Sequence, residues 1–403
     1  MPLKIKIPNY KIINYYYAIV ALVYFSAIYL PFIRVGLFMS LLMLIGIFIL
    51  YNFNKLKLRN NLDVIVLCYF LYNLLTIVFY FPRNVPLSVF FKEFSNSILP
   101  IILFYFMGKL NHDKSFYKIT LYAIGVCFVV GFYYQLTLPI VYLERMNVMY
   151  GSGTNPLGYL VNYRSILGLT AKGALGAIGS FLSFNIMYKS GFKTGKILFI
   201  ICTLAVLLSF RRAALYTAAF GIVSLNILIL FKFIKGKKIK FLLFETLILI
   251  LLTIYILSTK NFDFFNDILD RVASFTDAID ERIDSWISGL NNTYSLLTGD
   301  GLGIYGHKVI EFSDLYIPDG NYFRMLGELG ILGFLLFLSI IFTAIYYGVL
   351  KISTQYIQVI IVIIVCLQSV GSDMFSFQLI APIFWYSIGA CNKSQLQMSD
   401  IKI

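Results

Sequence analysis

Histidine and tryptophan occur only twice each in 403 residues, and 19 acidic residues face 33 lysines and arginines. With two histidines and no Cys/His cluster at ligand spacing, the sequence offers no transition-metal site. Cysteine is also sparse. Cys68, Cys127, Cys202, Cys366 and Cys391 all fall within or at the end of apolar runs, which argues against a disulfide in an outer loop. Charge of either sign is scarce: 13% of residues are charged against 60% hydrophobic, and the mean hydropathy is +0.83. A soluble surface is thereby excluded. No small-residue cleavage site follows the first apolar run, so that run reads as a retained anchor and not a removed signal peptide.

What the chain does contain is a succession of apolar stretches about 17–22 residues long, the length a helix needs to cross a ~30 Å hydrocarbon core. They lack the period-2 alternation of barrel strands. Hydropathy predicts an all-α polytopic membrane protein of about twelve transmembrane helices. The spans fall near 14–33, 36–53, 63–82, 88–107, 117–136, 166–188, 196–210, 213–231, 241–259, 321–349, 355–371 and 375–390. Residues 1–403 thus read as a single integral membrane domain.

Alternate loops form two chemical sets. Lysines dominate one set: Lys4, Lys6 and Lys11; Lys55 and Lys57; Lys109, Lys114 and Lys118; Lys189, Lys193 and Lys196; the run from Lys232 to Lys240; and Lys393 with Lys402. The positive-inside rule assigns these to the cytoplasm, with both termini. The net charge of +14 is then mostly a topology signal. Nucleic acid is not an expected partner, because the lysines are scattered over short loops without a groove-sized patch. The opposite set holds two long external loops, 137–165 and 260–320. The second carries more than half of all the acidic residues in the chain.

That larger loop has internal order. From Phe262, apolar residues recur at spacings of three and four through Phe265, Ile268, Val272, Phe275, Ile279, Ile283, Trp286 and Leu290. This predicts an amphipathic helix lying along the membrane surface or capping the spans, ended by Asn291 and Asn292. LLTGDGLGIYG follows, with glycines at 299, 301, 303 and 306. No strand precedes it, so nucleotide binding is not indicated; a simple turn and a shaped loop over a site are both open.

Re-entry occurs at IPDGNYFRMLGELGILGFLLF. Arg324 and Glu328 are one helical turn apart and can pair on one face. Asp319 stands at the helix start, where N-capping and general-base chemistry are both open readings. Lys92, Glu93 and Lys172 also lie in apolar surroundings and each needs a partner or a wet cavity. Adjacent Lys92 and Glu93 point in different directions and do not satisfy each other. Arg145, Arg164, Arg211, Arg212, Arg282 and Arg324 all emerge on the outer side, where topology disfavours arginine. Arginine forks bind phosphate bidentately at any workable pH. Their convergence predicts an external cavity for an anionic, phosphorylated ligand.

The order of these features resembles the O-antigen polymerase and O-antigen ligase superfamily. The features are SFRR-AAL between two short spans, Arg282-x3-Trp286 in the outer loop, Gly299-x-Gly-x-Gly303, and Asp319-x-Asn321-Tyr322 followed by GELGILGFLLF. The similarity runs from about Arg145 to Phe337. It implies a GT-C-like all-α membrane glycosyltransferase without metal or other cofactor. Such an enzyme uses a glycan on undecaprenyl diphosphate as donor at the outer face of the bacterial inner membrane, with a chain-length regulator as a candidate partner. Family arginines bind the diphosphate, and the matching positions are Arg145, Arg211 or Arg212, and Arg282. Ligases carry a histidine just before the re-entry asparagine, where this chain has Gly320; that departure favours a polymerase. The expected base is Asp319, with Glu328 and His307 as alternatives. Arg164, Arg324, Asn321 and Tyr322 complete the expected substrate-binding set. A lipid-linked oligosaccharide flippase is the competing class, although residues 1–200 and 201–403 show no mutual similarity of the kind expected from repeated transporter halves.

Overall fold

A computed structural model describes residues 60–83, 85–110, 115–137, 170–190, 193–209, 212–231, 275–306, 320–375 and 379–392, with isolated residues elsewhere. The expected spans near 14–33 and 241–259, most of 36–53, and the loop 137–165 lie outside the described residues. So does the first half of the predicted amphipathic helix.

Described residues are helical or in turns. They form α1 (Asn61–Leu75), α2 (Leu87–Glu93), α3 (Phe106–Leu110), α4 (Ser115–Thr137), α5 (Thr170–Ser190), α6 (Lys193–Leu208), α7 (Arg212–Leu230), α8 (Phe275–Asn291), α9 (Asn321–Val349), α10 (Ile352–Gln368) and α11 (Ala381–Cys391). Five segments are long and apolar enough to cross a membrane: Asn61–Tyr80, Leu87–Leu110, Ser115–Tyr133, Ala213–Leu230 and Asn321–Val349. Among the described residues the protein is all-helical, with the long apolar helices of a membrane protein. Leucine and valine side chains such as Val64, Leu67, Leu71, Leu74 and Val78 stay exposed along one face of the first span, as lipid contact requires.

Four spans depart from regular helix. A 3-10 turn, Thr76–Arg83, extends α1, while π-helical turns at Phe94–Ile98 and Ile101–Tyr105 separate α2 from α3. The expected span 375–390 is helical only from Ala381. Residues 371–377 form turns in which Met374 N–H donates to Ser372 O and Phe377 N–H to Met374 O. Leaving the helix there carries Asp373 into the protein interior.

The fourth departure lies in α9, which breaks at Gly330 (φ +64°, ψ −174°). A continuous helix would pair Ile331 N–H with Gly327 O and Leu332 N–H with Glu328 O. Here Ile331 donates to Leu296 O (2.8 Å) and Leu332 to Leu297 O (3.2 Å), while Asp300 donates to Gly327 O (3.0 Å) and Gly301 to Glu328 O (2.9 Å). Residues 296–301 thus insert into the break and satisfy the groups it frees. Tyr72 Oη lies 2.8 Å from both Thr298 O and Leu329 O, so its single proton is shared across the same junction.

At the other end of the bundle, Lys109 Nζ meets Asp63 Oδ2 at 2.5 Å. Tyr105 and Asn392 both donate to Asp63 Oδ1 (2.7 and 2.9 Å). This network ties α1, α3 and the end of α11 together without an unpaired charge.

A Cβ at residue 330 would stand 2.4 Å from Leu297 O and 2.5 Å from Gly299 N, in a backbone region open essentially to glycine alone. Gly330→Ala is therefore expected to destabilise the protein by about 2 kcal/mol or more. A clear fall in its unfolding midpoint in detergent checks this; an unchanged midpoint contradicts it.

Candidate functional site

The outer part of α9, residues 321–329, points one face into the bundle. Asn321, Arg324 and Glu328 recur at spacings of three and four and are all buried. Arg324 is the hub. Its Nη1 donates to Asp373 Oδ2 at 2.8 Å, its Nη2 to Glu93 Oε1 at 3.0 Å, and its Nε lies 3.4 Å from Glu328 Oε1. One guanidinium thus joins α2, α9 and the turn before α11. The sequence expectation of an Arg324–Glu328 pair is met, and Glu93 finds its partner across the bundle, not in Lys92, whose side chain is exposed.

Asn321 has no exposed surface, and neither its Oδ1 nor its Nδ2 has a hydrogen-bond partner. Glu328 Oε1 likewise lacks a hydrogen-bond donor, although the Gly303 N–H donates to its carboxylate. Orphaned atoms of this kind are costly in a protein interior and mark a place where polar chemistry is awaited.

The glycine loop closes one side of this centre. Gly299, Gly301 and Gly303 have φ of +74°, +115° and +90°. A Cβ on Gly306 would stand 3.3 Å from Arg324 Nη1 and 3.6 Å from Glu328 Oε1. The loop therefore lies directly over the ion pair, a shaped loop and not a mere connection.

From the other side comes α8, ending at Asn291 as expected. Its Trp286 ring stacks on Phe323 at 4.6 Å between centroids. One turn earlier on the same face, Arg282 reaches Gly371: a Cβ there would be 3.3 Å from Arg282 Nη1, two residues from Asp373. Tyr322 is committed to packing, with its hydroxyl donating to Cys366 O (2.8 Å) and its ring against Phe334 and Phe375.

Of the residues singled out from sequence, the structure brings together Arg282, Asn321, Tyr322, Arg324 and Glu328. Arg212 is the first residue of α7 and its side chain is outside the described set. Arg145, Arg164, Arg211, His307 and Asp319 lie outside the described residues altogether.

Residues 197–338 match the family model described as O-antigen ligase. Over this segment the chain is similar to the O-antigen ligase family. The match covers about a third of the chain and takes in α7, α8, the glycine loop and the broken part of α9. No curated protein matches the chain. Two members of the centre lie outside the matched segment: Glu93 and Asp373. Sequence reasoning overlooked Arg83 and Asp373. Arg83 could have been found as a seventh outer arginine, and Asp373 as the one acid between Glu328 and Asp400.

Removing Arg324 strands three buried carboxylates. Arg324→Ala is expected to cost about 3–5 kcal/mol, and adding Glu93→Gln should recover part of that loss. A double-mutant cycle in chemical or thermal unfolding checks this. Additive effects contradict the network.

Proposed function

We propose that this protein is a membrane glycosyltransferase that joins oligosaccharide repeat units carried on undecaprenyl diphosphate into an O-antigen or capsular polysaccharide. The reaction takes place at the outer face of the bacterial inner membrane. The supporting observation is the buried Arg324 centre, built where a membrane helix of the matched segment is broken, with polar atoms of Asn321 and Glu328 beside it that have no hydrogen-bond partner. About twelve spans with both termini in the cytoplasm, and the external loops 137–165 and 260–320, belong to the same proposal.

In the proposed reaction a sugar hydroxyl of the acceptor attacks the anomeric carbon of the donor. The new C–O bond forms as the bond to the diphosphate breaks, the configuration inverts, and undecaprenyl diphosphate leaves with the bonding electron pair. The hydroxyl proton passes to a carboxylate or imidazole: Glu328, Asp319 or His307. Glu328 is favoured because its Oε1 accepts no hydrogen bond. Asn321 presents a donor and an acceptor to the incoming sugar. Arg324 is occupied by carboxylates, so its proposed work is to hold them in place. Arg145, Arg164, Arg211, Arg212 and Arg282 are left to hold the diphosphate and stabilise its growing charge.

Two other readings remain distinct. The matched family description is a ligase, and broken helices also build transporter sites. Deleting the gene separates the three through the surface glycan. A single repeat unit on the lipid anchor supports a polymerase, complete loss of surface glycan supports a flippase, and polymer stranded on undecaprenyl diphosphate supports a ligase. Within the polymerase reading, Arg211→Ala and Arg212→Ala should each abolish chain extension while the protein stays inserted, and Arg→Lys should impair it. Normal chain length in both alanine variants contradicts the diphosphate clamp.

A further inference from the structure

Outside the Arg324 centre sits a second buried ion pair, between Arg83 and Asp300. Arg83, at the end of the 3-10 turn after α1, gives Nη2 to Asp300 Oδ2 and to Asn292 O, and its guanidinium stacks 3.5 Å above the Tyr294 ring. Asp300 also accepts from Tyr305 Oη at 2.6 Å and from the Tyr294 N–H at 3.0 Å. Burial, with the bond to Asp300, raises the Tyr305 pKa, so the phenol remains a donor across the workable pH range. Tyr80 Oη donates to Leu302 O, and Thr76 Oγ1 accepts from the Leu302 N–H at 3.3 Å. The contacts of Arg83 with Asp300, and of Tyr80 and Thr76 with Leu302, fix the segment 300–305 against the first span.

The same segment holds Glu328 twice. The Gly301 N–H donates to its carbonyl at 2.9 Å, and the Gly303 N–H to its carboxylate. Asp300 itself is 2% exposed and faces Arg83 and Tyr305, away from the α9 carboxylates that meet Arg324. It is thus placed to act through the loop.

We propose that Arg83 and Asp300, with Tyr305, form a clamp of positioning residues that sets the Glu328 carboxylate for reaction by fixing the glycine loop beneath it. Only the kinetic part of this inference rests on the glycosyltransferase reading; the mechanical part stands alone. The mechanical part requires that loss of the clamp frees the amides of 299–303 while the Lys109–Asp63 end of the bundle stays closed. The kinetic part requires a loss in kcat with little change in KM for the lipid-linked donor, because donor binding is assigned to other arginines.

Both parts are tested with full-length protein in lipid nanodiscs, comparing wild type with Arg83→Ala, Asp300→Asn, Tyr305→Phe and the Arg83→Ala/Asp300→Asn double variant. Hydrogen–deuterium exchange is followed in peptides covering 299–305 and 327–332. Chain extension is followed with undecaprenyl-diphosphate-linked oligosaccharide. The clamp predicts roughly tenfold or faster exchange in both peptides, unchanged exchange around Asp63, and a fall in kcat of about tenfold or more with KM within about twofold. The double variant should be little worse than either single one. Should Arg83→Ala fail to fold, Arg83→Lys keeps the charge, loses the fork and the stacking on Tyr294, and should show the same pattern more weakly. Unchanged exchange overturns the clamp. Faster exchange with wild-type kcat overturns the positioning role, as does a loss that merely tracks the amount of folded protein. If wild type does not extend chains at all, the glycosyltransferase reading fails, and the exchange data still decide whether the clamp holds the loop.

Discussion

Everything at the Arg324 end of this molecule depends on an exchange of hydrogen bonds between residues 296–301 and the break in α9. Backbone groups released inside a membrane protein cannot turn to water, and each unpaired one costs several kcal/mol. Four bonds to the loop replace the two that a straight helix would have made across Gly327–Leu332. Glycines at 299 and 330 follow from that constraint, because their backbones take positive φ and approach one another too closely for a side chain. Position follows as well. The loop cannot serve the break without lying over Glu328, and it cannot lie there without an anchor, which Arg83, Tyr72, Thr76 and Tyr80 supply from the first span.

Arg324 extends the same logic from backbone to charge. A buried guanidinium is tolerable only when its donors are used, and its three carboxylate partners come from three separate parts of the chain. Apolar packing would have joined α2, α9 and the turn before α11 at lower cost. A charged hub beside atoms of Asn321 and Glu328 that have no hydrogen-bond partner is better explained by chemistry than by stability. The contrasting network at Asp63 holds helices together, with Asp63 bonded by lysine, tyrosine and asparagine.

Much of this was legible in the sequence. Hydropathy marked the five long spans, threefold and fourfold spacing marked α8 with Trp286 and Leu290 on its inner face, and the i, i+4 spacing of Arg324 and Glu328 marked their pairing. The break at Gly330 was not legible, because GELGILGFLLF scores as an unbroken apolar run and hydropathy does not register backbone direction. Glu93 and Asp373 were hidden for a different reason. Their partner is 231 and 49 residues away respectively, and no local period connects them to it. Arg83 looked like the end of a span. Only its meeting with Asp300 across 217 residues gives it a role.

The reading of the site as a glycosyltransferase centre joins the matched segment to a carboxylate that the fold leaves available. Its most direct test is Glu328→Gln, which removes the base and keeps the shape of the side chain. Purified wild type and variant, each reconstituted in lipid with undecaprenyl-diphosphate-linked repeat units, would be compared by mass spectrometry of the glycan products. Wild type should extend the chains, and the variant, folded to the same extent, should extend them at least about a hundredfold more slowly. Extension by the variant at the wild-type rate would contradict the assignment of Glu328 as the base.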